Sequence, residues 1–379
     1  MIKEGLTLAA RFLRRVKGLL LCLPAFLLTA CLPTVQEFHP AVQSPVLEEK
    51  QVVASDGANL PLRAWLPEQK PWAVVLALHG FNDYSRGFEP MGQYLSSEGV
   101  AVYAFDQRGF GAAPRPGIWA GIPNLSRDLR DAVSVLRERY PTLPLYVLGE
   151  SMGAAIAAVT YAESDAPPVN GLIFSAPAVW GNHQLPLTYR MVLNMGAYTL
   201  PWKKVTGKNL NILATDNIPA LVQMGKDPLV IKATRIDAIH GMVKLMDEAA
   251  ESAPRLKTPL MIVYGKHDQV IPRRPVRAFV DELETPYRLS YYANGYHLLL
   301  RDLQYDVVME DLLAWMRNPA EPLPSGFDSD WEKFLPPLKL KSTVKSMTAQ
   351  NEAPDARDAK QESEKDFRLS PASYRNSRN

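Results

Sequence analysis

Two hydrophobic rhythms alternate along most of this chain. Continuous apolar runs of four to six residues mark strands buried on both faces of a parallel sheet. They occur at Ala73–Leu78, Val100–Phe105, Leu145–Leu148, Gly171–Ser175 and Leu260–Tyr264. Between them lie stretches of helical period. Glu89–Ser97 is one; Ser126–Tyr140 is another, with Leu129, Val133, Leu136 and Tyr140 on one face and Arg127, Arg130, Arg137 and Glu138 elsewhere. Two short strands are expected earlier, Gln51–Ala54 and Leu62–Trp65, around a turn at Ser55–Asn59. After Tyr264 the pattern predicts a helix near Pro275–Leu283, a strand over Tyr287–Tyr292 and a closing helix over Leu303–Met316. Strand and helix repeating in this order predict an α/β fold: a mostly parallel, doubly wound sheet with right-handed crossovers.

From about residue 177 to 253 the rhythm fails. Trp180, Leu187, Met191, Met195 and Trp202 are apolar, yet no buried-strand run appears. The segment reads as a helical cap insertion over the C-terminal edge of the sheet, where open α/β folds bind ligands. Its apolar residues either line a pocket for an acyl chain or form the insertion's own core.

The first thirty residues follow a different logic. Five basic residues and one acid lead to Lys17, and an apolar core runs from Leu19 to Leu28, too short to cross a bilayer comfortably. It ends in Leu28-Thr29-Ala30-Cys31, which resembles a bacterial lipobox. That resemblance implies lipidation of Cys31 as the first residue of the mature chain; a plain secretory signal or a short membrane anchor is the alternative. The other cysteine, Cys22, lies within the removed segment, so the mature chain forms no internal disulfide. By the same resemblance, Leu32 after the cysteine implies a cell-envelope protein anchored in the outer membrane and facing the periplasm. The expected organisation is a signal peptide over 1–30, a proline-bearing tether over 31–49 and an α/β domain over 50–317. A surface-packed extension over 318–340 carries Trp331 and Phe334, and a charged, disordered tail follows over 341–379. The net charge is only +2, and the first thirty residues hold +4, so no basic surface points to a nucleic-acid partner.

The candidate chemistry gathers where the Leu145–Leu148 strand breaks. Gly149-Glu150-Ser151-Met152-Gly153 is a G-x-S-x-G pattern between a buried strand and a small-residue helix, the setting of a nucleophile elbow. A serine hydroxyl is a weak nucleophile; it needs a base, and the base needs an orienting acid. In this fold class the chain order is serine, acid, histidine. Of six histidines, His297 follows the last strand in a Gly-rich loop and is the candidate base. Asp268, past the penultimate strand in a turn closed by Pro272, is the candidate acid. The oxyanion formed at the tetrahedral stage needs donors already in place. The backbone N–H groups of Met152 and Phe81, the latter in the loop after His79-Gly80, are the candidates.

Together, His79-Gly80 with Ser85, Asp106-x-Arg108-Gly109-x-Gly111, Gly149–Gly153, Asp268-x-Val270-x-Pro272 and Gly295-Tyr296-His297 carry a resemblance. Over residues 50 to 317 the chain resembles the monoglyceride lipase and lysophospholipase branch of the α/β-hydrolases, the serine-aminopeptidase-like group. The resemblance implies an α/β-hydrolase fold with a helical cap, a Ser–Asp–His triad, no metal or organic cofactor, and a lipid or small-molecule ester as substrate. Asn82-Asp83 departs from the branch's usual Gly-Glu, Phe110 from a frequent histidine and Ala113 from a frequent serine. The leading expectation is a serine hydrolase of monoacylglycerol- or lysophospholipid-type esters, held to a membrane by its N-terminal lipid. A short-chain esterase or aminopeptidase with the same triad is the first alternative, and a non-catalytic envelope-binding lipoprotein the second.

Overall fold

The computed structural model describes residues 31–329 apart from 182, 183 and 209. The expected signal peptide, the polar tail and the residues Trp331 and Phe334 lie outside the described residues.

The described elements are β1 (Val46–Leu47), β2 (Gln51–Val53), β3 (Asn59–Trp65), β4 (Ala73–Leu78), α1 (Glu89–Ser97), β5 (Val100–Phe105), α2 (Ile122–Arg139), β6 (Leu145–Glu150), α3 (Met152–Tyr161), β7 (Gly171–Ser175), α4 (Leu187–Thr199), β8 (Lys204–Val205), α5 (Ile218–Lys226), β9 (Thr234–Arg235), α6 (Ile236–Ser252), β10 (Leu260–Gly265), α7 (Arg273–Asp281), β11 (Tyr287–Tyr292) and α8 (Tyr305–Arg317). Nine strands form one sheet in the order β1-β2-β3-β5-β4-β6-β7-β10-β11. From β5 to β11 all neighbours are parallel, and β1 to β3 add an antiparallel edge. This is the mostly parallel α/β sheet that the alternation predicts, in the α/β-hydrolase arrangement that the resemblance implies.

The apolar runs explain the layers. Every residue of β4, β5, β6 and β10 is buried. Along β4, Val74, Leu76 and Leu78 face a core shared with α2, α3, α6 and α7, while Ala73, Val75 and Ala77 face a second core under α1 and α8. Successive side chains of a strand point to opposite faces, so a strand with a helix layer on each side must be apolar throughout.

Four features differ from the sequence-based expectation. First, α2 begins at Ile122 rather than Ser126, because Pro123 sits in its first turn, where a missing N–H costs nothing. Second, α6 packs against α3 in the first core and so belongs to the body; the insertion proper ends near residue 235. The parallel neighbours β7 and β10 need a crossover helix, and α6 supplies it. Third, the expected tether is fastened along part of its length. Val35 bridges Trp119, and the Gln36 N–H donates to the Trp119 carbonyl at 2.9 Å. The Thr34 N–H donates to Asp237 at 3.1 Å, and Asn124 Nδ2 donates to the Glu37 carbonyl at 3.1 Å. Fourth, the cap's apolar residues neither form its own core nor close fully over a pocket. In α4 only Ala197 is buried, whereas Leu187, Met191, Val192 and Met195 are each more than 60 % exposed.

The extension after α8 packs on the body as far as it is described. Leu323 is buried, Arg288 pairs with Asp328 at 2.7 Å, and the Phe327 ring meets Tyr292 edge-on.

Candidate active site

Ser151 sits where β6 turns into α3, with φ 53° and ψ −109°, a region that non-glycine residues avoid. The two flanking glycines make this turn possible. A Cβ on Gly149 would lie 2.3 Å from the Ala154 nitrogen, and one on Gly153 would lie 2.0 Å from the Leu78 carbonyl oxygen. No larger side chain fits either position without moving backbone. The Ser151 N–H is held by the Ser175 carbonyl at 2.9 Å, so β7 pins the elbow from the side. Met152 opens α3 and is fully buried, and its N–H belongs to the first helical turn, whose donors have no intrahelical partner.

The loop after β4 lies against this turn. A Cβ on Gly80 would stand 3.5 Å from Ser151 Cβ, which places the Gly80-Phe81 backbone beside the serine. His79 holds that loop as a scaffold. Its Nε2 accepts the Gln107 N–H at 3.0 Å, which leaves Nδ1 to donate to the Gly80 carbonyl at 2.9 Å. Burial lowers its pKa and keeps the ring neutral in this tautomer. The Phe81 ring meets Phe110 and Trp119 edge-on at 5.5 and 6.3 Å. Asn82, at φ 67°, ties the loop to the cap: its carbonyl accepts the Ile231 N–H, and its amide donates to Thr234 Oγ1 at 2.8 Å.

The structure brings Asp268 and His297 together. His297 Nδ1 and Asp268 Oδ2 are 2.8 Å apart, with side chains 7 % and 0 % exposed. Asp268 Oδ1 accepts the N–H groups of Val270 and Ile271 at 2.7 and 2.9 Å, so the carboxylate is fixed by its own turn. Gly265 and Gly295 let β10 and the histidine loop approach; a Cβ on Gly265 would lie 2.4 Å from Gly295 carbonyl carbon. Burial disfavours the imidazolium, but the Asp268 carboxylate, aided by Glu150, outweighs it and raises the His297 pKa above its ordinary value.

Several residues around the site were not singled out by sequence. Glu150, inside the elbow motif, is buried, and its Oε1 accepts from Arg301 Nη2 at 2.7 Å. The same nitrogen lies 2.7 Å from Asp83 Oδ2. The signal for Arg301 was present: it is a charge set directly after the apolar run Leu298-Leu299-Leu300. Motif residues elsewhere prove structural. Asp106 accepts from the Ser85 hydroxyl at 2.6 Å, and Arg108 forks between Asp56 and Asp128 at 2.6 and 2.7 Å. Cys31 carries a free, partly exposed thiol three residues before the first hydrogen bond to the cap's foot.

The chain is similar to several known proteins. The chain is 25 % identical over 286 residues to monoacylglycerol lipase of Mycolicibacterium smegmatis, covering 72 % of this chain and 98 % of that one. It is 24 % identical over 267 residues to the human monoglyceride lipase, covering 68 % of this chain and 86 % of that one. The crystal structure of a soluble variant of monoglyceride lipase from Saccharomyces cerevisiae shares the fold, with a TM-score of 0.61 at 20 % identity over 76 % of this chain and 98 % of that one. The serine aminopeptidase, S33 family model (Hydrolase_4) matches residues 69–304, more than half of the sequence, and the chain belongs to that family of α/β-hydrolases.

Proposed function

We propose that this protein is a lipid-anchored hydrolase of monoacyl lipid esters, of the monoacylglycerol or lysophospholipid type, acting through Ser151, His297 and Asp268. The enzyme is a serine carboxylic-ester hydrolase. The observation that carries the reading is the buried His297–Asp268 pair on the loops after β11 and β10, beside an elbow whose serine is held at positive φ. In this reading Ser151 Oγ attacks the ester carbonyl while His297 Nε2 takes its proton. The Met152 and Phe81 N–H groups receive the oxyanion. His297 then protonates the leaving alcohol, and water, activated by the same histidine, releases the acyl group from Ser151.

The names of the relatives support a monoacylglycerol substrate, and so does the cap. Between Asp165 and Asp216 the chain has no acidic residue, while Arg190, Lys203, Lys204 and Lys208 flank exposed Met191, Met195 and Trp202. An apolar surface edged with cations suits an interface with anionic lipid. The N-terminal strand runs to this same region, since Thr34 bonds to Asp237 and Arg235 at the foot of the cap. In this reading, lipid on Cys31 would turn the cap towards the membrane, at the periplasmic face of an outer membrane. Peptidase action is less well supported. The acids of the neighbouring cleft are already engaged, Asp83 with Arg301 and Asp227 with Tyr84 and Arg86, so they do not form an open site for a substrate ammonium.

A p-nitrophenyl ester series from two to sixteen carbons, run beside monoacylglycerol and lysophospholipid, tests the substrate class. Preference for long acyl chains is expected; preference for acetate or butyrate esters overturns the lipid assignment. Ser151→Ala should abolish both turnover and labelling by a fluorophosphonate. Metabolic labelling with palmitate should mark the wild type and not Cys31→Ser; equal labelling removes the anchor.

A further inference from the structure

Three loops must keep their mutual positions for the proposed chemistry: the elbow after β6, the oxyanion loop after β4 and the histidine loop after β11. Each sends one charged side chain to a single buried point. Glu150 immediately precedes Ser151, Asp83 lies two residues after Phe81, and Arg301 lies four residues after His297. Arg301 Nη2 is 2.7 Å from Glu150 Oε1 and 2.7 Å from Asp83 Oδ2. The three side chains are 1 to 8 % exposed. Room around them is scarce: a Cβ on Gly87 would come within 2.9 Å of Asp83 Oδ2 and 3.0 Å of Arg301 Nη1. The cap joins the same point, because Arg301 Nη1 contacts Met224 Sδ at 3.5 Å and the Arg301 carbonyl accepts from Asn217 Nδ2 at 3.0 Å.

We propose that Arg301 is a positioning residue, whose guanidinium clamps Glu150 and Asp83 and so holds nucleophile, oxyanion loop and base as one unit. It touches neither substrate nor reacting atoms in this role. The inference rests on the assignment of Ser151 and His297 as nucleophile and base.

The charge balance gives the clamp a second consequence. Two carboxylates share one guanidinium, and Glu150 faces His297 together with Asp268 and Arg301. Buried His79 faces Asp83, Asp106 and Glu150 and is neutral; Arg86, Glu89 and Asp227 line the cleft on the cap side of Arg301. Arg301 opposes the pull of Glu150 on the His297 proton. Removing either charge therefore shifts the base, in opposite directions.

The test is kcat and KM for a p-nitrophenyl ester from about pH 5 to 9, on the full chain, with folding checked by thermal melting. Glu150→Gln should move the acid limb of kcat/KM down, by about half a pH unit or more. Arg301→Met should move it up and lower kcat by about 100-fold, with KM changed far less. Adding Glu150→Gln to Arg301→Met should restore part of kcat, because one of the two carboxylates left unpaired is gone. Arg301→Lys should keep the limb in place yet lose kcat, since the shorter side chain stops its ammonium short of the point where Arg301 Nη2 lies 2.7 Å from both carboxylates. If Arg301→Met does not fold, Glu150→Gln and Arg301→Lys decide alone. Limbs that coincide with the wild type in every folded variant, or a double variant no better than Arg301→Met, overturn the proposal. Fluorophosphonate labelling separates this from the underlying assignment: an unlabelled wild-type Ser151 sinks the nucleophile, whereas a labelled one with unmoved limbs sinks only the clamp.

Discussion

The body and the cap draw on similar apolar residues and use them in opposite ways. In the sheet, Leu76, Val147 and Ile262 are wholly buried between helix layers. In α4, Leu187, Met191 and Met195 stay in the open, and the helix is held mainly by its packing on α6. The difference follows from geometry. A central strand has neighbours on two faces and two edges, so each apolar side chain finds partners. A cap helix lies on a rim, has one packed side, and leaves the rest of its surface for something else. The chemistry divides the same way. The candidate residues Ser151, Asp268 and His297 hang on the ends of β6, β10 and β11, while the cap contacts the histidine loop through Met224 and Asn217 and the loop after β4 through Ile231.

If catalysis belongs to the body, the largest effects must come from strand-end residues. Asp268→Asn should lower kcat by about 10³- to 10⁴-fold, because the imidazole loses its orienting acceptor. The acid limb of the wild-type kcat/KM profile should lie above pH 6.5, the ordinary histidine value, since His297 must be neutral to accept a proton and its folded pKa is raised. In Asp268→Asn the limb should fall; an unchanged limb would show that the Asp268 charge does not govern the base. The corresponding cap variant, Met195→Ser, should leave the limb where it is.

Next in size is Gly153→Ala. One methyl directed at the Leu78 carbonyl requires the elbow to move, at a cost of about 3 kcal/mol in urea unfolding, the upper part of the usual range for overpacking. A variant of wild-type stability would mean that the elbow is looser than its geometry indicates. The contrast narrows to a matched pair of side chains for the smallest effect. Leu76→Ala should destabilise by about 2–5 kcal/mol, and Met191→Ser by no more than about 0.5 kcal/mol. Met191→Ser should nevertheless weaken adsorption to anionic vesicles, measured by co-sedimentation. Comparable losses of stability in both variants would erase the distinction between body and cap.

Local pattern was a good guide wherever one strand or turn decided the outcome. The limits of β4, α1, β5, β7 and β11 coincide with the residues that the apolar runs predict. Ser151, Asp268 and His297 were legible because each candidate follows a strand end in the order that the fold requires. Hydrophobic period was a poor guide in the insertion, because it records which residues are apolar and not whether a partner faces them. It also assigned α6 to the cap, although the parallel crossover from β7 to β10 needs that helix in the body. The N-terminal segment was misleading for a similar reason. Its prolines suggest a tether, but its bonds to Trp119, Asn124 and Asp237 depend on residues more than eighty positions away.

The sequence by itself determined the parallel strands, the strained elbow and the identity of the acid and base candidates, since strand burial and tight turns are written in neighbouring residues. Only the tertiary structure decided what surrounds them. Arg301 lies 151 positions from the glutamate that it holds. The exposed face of α4 and the fastening of Thr34 are likewise products of assembly. Pairings of that range depend on how the strands order themselves in the sheet, and no local period encodes that order.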